Sequence, residues 1–204
     1  MYILKITFLT LSIIINNPGI CSGAYDNGTA TGKGKFGLDL TWNPLNYFPE
    51  GQSYFVLSYG FSDKFDFHSY YSHPAIGVDN YYFGFFYQLH KNMYLDLATA
   101  IGIRQYWPIS QKHLFFPQLL YTLYVYKNLR LGGSVVALRD FNNLNKLLGR
   151  SFDIGIIIPL IKNPKKYRII YNIDFCISAF RPALWKPKKH NWSPTYSIDL
   201  KIKI

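Results

Sequence analysis

An aspartate and a histidine two residues apart are the best candidates for acid–base chemistry in this sequence. Asp66 and His68 lie in a segment, 64–73, where apolar and polar residues largely alternate. Alternation places both side chains on one face of a β-strand, and a carboxylate beside an imidazole can orient it as a general base. Asp96 is a candidate third member. Buried charges that pair for structural reasons explain the same residues, so they are weak catalytic candidates and we expect no enzyme.

The remaining polar residues give no support for a metal or cofactor. The five histidines are scattered over different predicted strands and loops, without the spacing typical of metal ligands. We therefore predict no metal and no cofactor. The net charge of +11 is compatible with an anionic partner such as phospholipid or lipopolysaccharide. It is equally compatible with a compositional bias toward Lys, Ile, Asn, Tyr and Phe.

The elements that must position these residues are β-strands. Apolar and polar residues alternate with the period of two that a strand imposes. Ten segments of this kind are predicted, with eight or twelve as the alternatives to this count. They are approximately 35–43, 52–61, 64–73, 80–89, 93–107, 114–126, 129–138, 151–161, 166–180 and 194–204.

One face of these strands is apolar almost throughout. In the last strand, Tyr196, Ile198, Leu200, Ile202 and Ile204 alternate with polar residues. The corresponding row of all ten strands contains no charged residue. A charge on the lipid face of a membrane barrel costs about 2–4 kcal/mol near the midplane, whereas a lumen charge is tolerated. The pattern predicts an all-β, closed, up-and-down antiparallel transmembrane β-barrel. A soluble secreted or periplasmic barrel or sandwich is the alternative.

The predicted connections alternate in length along the chain. Each odd-numbered connection between the predicted strands is longer than its even-numbered neighbours. Outer-membrane barrels have an even strand number, short periplasmic turns and longer outer loops. Ten strands would place both termini on the short-turn side, so we expect periplasmic termini.

The N-terminus has the features of a secretory signal peptide. Lys5 supplies a positive charge, 6–15 form a short apolar core, and 22–24 are small residues suited to cleavage. We predict a cleaved signal at 1–24 and a barrel domain at 25–204. After cleavage one cysteine, Cys176, remains, so no internal disulfide is expected.

The inward rows carry most of the predicted charge. Six of the eleven acidic residues point inward and face Lys and Arg from other strands, and side chains of this kind fill the lumen of a narrow barrel. The predicted lumen charge network consists of Lys35, Asp39, Asp66, His68, Asp96, Arg104, Asp153, Arg168, Asp174, Asp199, Lys201 and Lys203.

Two further groups fit the long-loop end of such a barrel. Trp42, Trp107 and Trp192 lie at strand ends or in the last long loop, where amphipathic rings favour the membrane interface. A basic run in that loop lacks any nucleic-acid reading element, so we expect no nucleic-acid partner. We predict instead that it contacts lipopolysaccharide phosphates or another anionic ligand. Its cations are Lys186, Lys188 and Lys189.

The signal peptide, the alternating strands and the terminal strand from Tyr196 resemble the small bacterial outer-membrane β-barrel proteins. The resemblance covers the whole mature chain and implies location in the outer membrane, surrounding outer-membrane lipids, and a terminal strand read by the barrel assembly machinery. Ile204 stands where that family usually has Phe or Trp. Outer-membrane lipid deacylases carry His and Ser two apart, whereas here Ser69 adjoins His68.

We expect a structural or surface-interaction barrel, or one that passes small solutes along a narrow path. An open aqueous channel is not expected, because open porins use about 16–18 strands. An outer-membrane enzyme acting on lipid or peptide is an alternative, through Asp66 and His68 or through rim residues such as His113 and Asp153. A soluble binding module is the other alternative.

Overall fold

The computed structural model describes residues 27–42, 52–74, 79–107, 113–126, 128–162, 169–181 and 193–203. Within these residues, no helix has the length and hydropathy needed to cross a membrane. The described secondary structure consists of eleven strands. They are β1 (Lys35–Trp42), β2 (Gln52–Gly60), β3 (Phe65–Pro74), β4 (Asp79–Lys91), β5 (Leu95–Trp107), β6 (Leu114–Phe115), β7 (Gln118–Tyr126), β8 (Leu129–Asp140), β9 (Leu147–Lys162), β10 (Ile170–Arg181) and β11 (Ser193–Lys203).

The strands form one antiparallel sheet that closes on itself. Neighbours in the chain are neighbours in the sheet, and β4 pairs with β5 while β1 pairs with β11. The closing seam runs in continuous register from Lys35 opposite Lys203 to Trp42 opposite Tyr196. Closure leaves no open sheet edge. The prediction of a closed up-and-down barrel is confirmed, and the sandwich alternative is wrong.

The sixth predicted strand is interrupted. β6 and β7 both pair with β5 on one side and with β8 on the other. Together they therefore occupy one of the ten strand positions around the barrel. Pro117, which has no backbone N–H to donate, lies in the break between them. The Phe116 amide and the Pro117 carbonyl still bond to Gly102 and Ala137 of the flanking strands. The prediction of ten strands around the barrel is confirmed, except that one of the ten positions is occupied by two shorter strands.

The connections alternate in length less regularly than predicted. We call the end at which β1 begins and β11 ends the lower end, and the other the upper end. The upper hairpin between β8 and β9 spans only 141–146, whereas the lower connection 163–169 is longer. The difference arises because β9 begins at Leu147, four residues before its predicted start, and β10 begins at Ile170 rather than at 166.

Side chains alternate between the exterior and the lumen along most of each strand, with register shifts at several strand pairs. In β4, the exterior row is exposed and the alternate row is buried, with Tyr82 and Phe86 almost fully so. The exposed row is apolar on every side of the barrel, as predicted. Its large members include Leu40, Phe55, Phe65, Phe83, Phe85, Tyr87, Ile101, Ile103, Leu119, Leu123, Val135, Leu160 and Ile198.

Apolar side chains from β2 to β8 pack together in the upper half of the lumen. Tyr82 lies over Gly84 and Gly102, where an added Cβ would collide with its ring. The ring stacks on Tyr70 at 5.0 Å and meets Phe116 edge-on at 5.6 Å. We call this group the upper cluster. Its members are Tyr54, Val56, Tyr70, Tyr82, Leu114, Phe116, Val136 and Leu138.

Candidate functional site: the barrel lumen

The lower half of the lumen is occupied by the chain's own N-terminal segment. Residues 27–34 precede β1, and the first part of this segment lies inside the barrel, with Ala30 and Thr31 buried, while Lys33 is exposed at the lower end. We call this segment the strap. At its end, Gly32 and Gly34 have positive φ values of 90° and 66°, and the chain turns there into β1. Glycine adopts this backbone region without steric cost. The alternation of apolar and polar residues did not predict the strap.

A single glutamine holds the centre of the strap at two points. Gln88 accepts a hydrogen bond from the Ala30 amide at 2.9 Å, and its own amide donates to the Gly28 carbonyl at 2.6 Å. The side chain thus satisfies one backbone donor and one backbone acceptor that are buried away from water. Ala30 packs in a small apolar group with Phe86, Ala98, Ala100 and Leu120.

Glycines allow the strap to approach the wall closely. A Cβ on Gly28 would lie 2.5 Å from the carbonyl oxygen of Asp96. A Cβ on Gly60 would lie 2.0 Å from the carbonyl oxygen of Gly32. In both cases the neighbour is backbone, which cannot rotate away. The Gly34 amide then donates to the Gly60 carbonyl at 2.9 Å, and this bond joins the strap to the lower end of β2.

The predicted catalytic pair is brought together, but its carboxylate holds the strap. His68 Nε2 lies 3.8 Å from Asp66 Oδ2, and the same oxygen accepts a hydrogen bond from the Thr31 amide. The His68 ring stacks on Phe86 with a centroid distance of 5.0 Å. The third predicted member, Asp96, accepts a hydrogen bond from the Tyr124 hydroxyl at 2.9 Å. Asp66 and Asp96 are both fully buried.

Three aspartates form a row on the opposite wall. Asp39, Asp199 and Asp174 lie directly opposite one another across β1, β11 and β10. Arg130 Nη2 lies 2.6 Å from Asp174 Oδ1, and the Thr41 hydroxyl donates to Asp39 Oδ1 at 2.6 Å. Like charges at this spacing require nearby donors and cations. The period of two in the sequence predicts that these aspartates point inward, but it does not predict that they lie side by side.

Two further predicted lumen residues, Asp153 and Arg104, have neutral groups among their partners. Asp153 accepts hydrogen bonds from both the amide and the hydroxyl of Ser134, each at 2.6 Å. Arg104 Nε donates to Asn80 Oδ1 at 2.9 Å, and its guanidinium lies 5.9 Å from the ring centres of Tyr70 and Phe116. Hydroxyl, amide and aromatic groups are thus among the partners of these two charged side chains.

A cavity of about 410 Å³ lies at the lower mouth, with the strap as part of its lining. Two of the predicted network residues line it: Lys35 of β1 and Lys201 of β11. The Lys201 ammonium donates to the Ala30 carbonyl across the lumen at 3.4 Å. We call this cavity the vestibule. Its lining is Thr29, Ala30, Thr31, Gly32, Lys35, Asp63, Lys91, Tyr124, Asn128, Arg130, Pro159, Asn172 and Lys201.

Several predicted site residues fall outside the part of the chain that the structure describes. Trp42 and Trp107 end β1 and β5 at the upper end as expected, but their side chains lie outside the described part. So do the side chain of Lys203, the whole of Arg168, and the interface and lipid-contact residues of the last loop. Those residues are Lys186, Lys188, Lys189 and Trp192.

The described residues contain no group of three or more His, Cys, Asp or Glu side chains arranged to bind a metal ion. At the upper end, the His113 ring meets Phe141 edge-on at 6.1 Å, while Asp153 is engaged by Ser134. The best-defined site in the described structure is therefore the lower lumen. It is formed by the strap, the side chains of Gln88 and Asp66 that hold the strap, and the vestibule.

A solved structure with a similar fold is known, whereas the sequence itself has no match: no protein-family model matches the chain, and no curated protein matches its sequence. Among solved structures, KdgM porin is similar with a TM-score of 0.50 and 9% identity, over 83% of this chain and 99% of the porin. Pseudomonas aeruginosa OccK11 (OpdR) aligns with a TM-score of 0.26 and 8% identity, over 84% of this chain and 67% of that protein. The likeness to KdgM porin confirms that the fold resembles that of the small outer-membrane β-barrel proteins.

Proposed function

We propose that this protein is an integral outer-membrane β-barrel with periplasmic termini, and that it passes small solutes along a narrow path controlled by the strap. The observation that supports the membrane location is the apolar exterior of the barrel. Every described strand position presents apolar side chains outward. Leu160 and Ile198, for example, are 60% and 48% exposed. Exposure of this much apolar surface to water is unfavourable, at about 25 cal/mol per Å², and a bilayer removes that cost.

The contents of the lumen support a narrow, controlled path. The upper cluster and the strap occupy the two halves of the lumen, so the described conformation does not resemble a wide aqueous channel. The strap, however, is held by hydrogen bonds to a few side chains such as Gln88 and Asp66. A segment held in this way can leave its site without unfolding the wall. We therefore assign the control of passage to the strap.

Membrane insertion is tested first and independently of passage. A refolded barrel should migrate differently on gels before and after heating, and the protein should fractionate with outer membranes. A protein that remains in the soluble fraction and shows no heat-dependent migration would contradict the proposed location.

Passage is tested by conductance across planar bilayers. The wild-type protein should be closed most of the time with brief openings, and Gln88→Leu should raise the open fraction, because it removes both hydrogen bonds that clamp the strap. Gln118→Leu is the matched control. Gln118 is an equally buried lumen glutamine that donates to the Tyr82 hydroxyl at 3.3 Å in the upper half. Equal open fractions for the two variants, or no conductance in any of the three proteins, would exclude strap-controlled passage.

An enzyme built on Asp66 and His68 has less support. Asp66 Oδ2 already accepts the Thr31 amide, and the carboxylate is fully buried beneath the strap. A general base needs its histidine within reach of a substrate proton. Hydrolysis of labelled phospholipid or lipid A that His68→Ala abolishes would reverse this assignment.

We further propose that outer-membrane lipids contact the basic run at the upper end through lipopolysaccharide phosphates. Arginine and lysine bind phosphates through charge-assisted hydrogen bonds. Replacing Lys186, Lys188 and Lys189 by Gln should weaken binding to vesicles that contain lipopolysaccharide. Unchanged binding would remove this proposal without affecting the proposed passage. The barrel assembly machinery is the expected partner during insertion.

A further inference from the structure

The vestibule concentrates positive charge at the lower mouth. Four cationic side chains line it, against the single carboxylate of Asp63. That carboxylate already accepts a hydrogen bond from the Lys33 amide at 3.2 Å. The four cations come from different parts of the wall, namely β1, β4, β8 and β11. They are Lys35, Lys91, Arg130 and Lys201.

The positions of these cations suit a ligand that lies on the strap. Lys35 Nζ lies 3.3 Å from the point that a Cβ on Gly32 would occupy, so its ammonium lies against the strap. Lys201 Nζ reaches the Ala30 carbonyl at 3.4 Å, a long and therefore weak hydrogen bond. Arg130 pairs with Asp174 through Nη2, and a guanidinium has further N–H donors that can serve a second anion.

Positive charges that converge in a cleft with protein walls focus the electrostatic field and raise the local concentration of anions. A volume of about 410 Å³ also falls within the range of roughly 300–1,000 Å³ that is usual for small-molecule sites. The mouth opens at the end that the proposed function places in the periplasm. The ligand class that satisfies these features is a small soluble anion with two or more charges.

We propose that the vestibule binds a small soluble polyanion that carries carboxylate or phosphate groups, with Lys35, Lys91 and Lys201 as its principal contacts. The inference deepens the proposed passage function and rests on it for the direction of approach. The anion lies on the strap, so it occupies the lower mouth of the path that the strap controls.

The test is calorimetric titration of the refolded full-length barrel in uncharged detergent micelles at about 0.1 M ionic strength, where the Debye length is about 10 Å. The probes are citrate and pyrophosphate, with glucose as the uncharged comparison. Both anions should bind and glucose should not. Lys91→Met and Lys201→Met keep the aliphatic stem and remove the charge. Each should weaken binding by about tenfold, the equivalent of roughly 1.4 kcal/mol for a contact of this kind.

Lys64→Met is the matched control. Lys64 is exposed in the lower turn between β2 and β3, at the same end of the barrel, and it is not among the residues that line the vestibule. Its variant should bind both anions like the wild type. If Lys201→Met does not refold, Lys91→Met decides, because Lys91 is an exposed residue at the end of β4.

Equal weakening by Lys64→Met and Lys91→Met would show general surface attraction and overturn the proposed site. Equal binding of glucose, or no binding of either anion, would overturn it as well. Anion binding by a barrel that does not conduct would preserve the site and refute only the proposed passage. Conductance without anion binding would refute the proposed site and preserve the proposed passage.

Discussion

The two halves of the lumen are filled in different ways. In the upper half, side chains of the wall itself pack together, with Tyr82 lying on Gly84 and Gly102. In the lower half, a separate segment fills the space and is attached to the wall through polar contacts such as those of Gln88 and Asp66. We expect that the upper filling leaves only when the barrel is disrupted, whereas the strap leaves with the barrel intact.

We expect this difference to assign two separate roles, with the upper cluster stabilising the barrel and the strap controlling passage. Packing within the wall stabilises the closed sheet, because each buried ring contacts side chains from several strands. Hydrogen bonds to an inserted segment order that segment, and we expect their loss to leave the barrel wall folded. Three variants, of Tyr82, Gln88 and Thr122, distinguish these two roles.

Tyr82→Ala should have the largest effect on the free energy of unfolding. Truncation of a buried aromatic side chain costs about 3–5 kcal/mol through lost burial and a residual cavity, and Tyr82 is 1% exposed. Urea unfolding of the refolded protein in micelles measures the change. Tyr87→Ala, on the exterior of the same strand and 47% exposed, should change stability far less. Equal losses for both variants would contradict a stabilising role of the upper cluster.

Gln88→Leu should release the strap while the barrel stays folded. Leaving the Gly28 carbonyl and the Ala30 amide without their partner costs about 2 kcal/mol, or about 30-fold in the opening equilibrium. Hydrogen exchange followed on a peptide that covers the strap should accelerate accordingly, while the strands keep their protection. A loss of protection in β8 and β9 comparable to that in the strap would mean that the two halves unfold together.

Thr122→Val should have a smaller effect, about 1 kcal/mol on strap opening, because the Thr29 hydroxyl loses its 3.0 Å partner and the Asn27 amide oxygen loses a donor at 3.3 Å. The double variant Thr29→Val with Thr122→Val should be less destabilised than the single one, because removal of both partners leaves no buried hydroxyl unsatisfied. The same exchange measurement provides the comparison. A double variant that opens more readily than Thr122→Val would show that these hydroxyls have further partners that matter.

The strands of the barrel wall could be predicted because the alternation of apolar and polar residues is visible within each short segment of the sequence. The exposed row in β4 and the terminal row that contains Ile198 follow from the period of two. The same pattern placed Asp66, Asp96 and Asp153 in the lumen. The break at Pro117 was not predicted, since an apolar residue in the outward row was compatible with an unbroken strand even though proline cannot donate to a sheet.

The strap was not predictable in the same way because its contacts are distant and polar. Thr29 and Thr122 are 93 residues apart, and Lys201 and Ala30 are 171 residues apart. The one local signal is the run of small residues from Gly28 to Gly32, which allows close backbone approach. The neutral partners of the aspartates, such as Ser134 for Asp153, depend on strand register and so required the structure.

The position of the strap has a consequence for the order of folding. The strap is the earliest part of the described chain, yet it contacts side chains from β2 through to β11. Its partners include Ser58 of β2, Gln88 of β4 and Lys201 of β11. The binding site of the strap is therefore complete only after the β1–β11 seam has formed, so that pairing of the last strand completes both the barrel and the site that holds the strap.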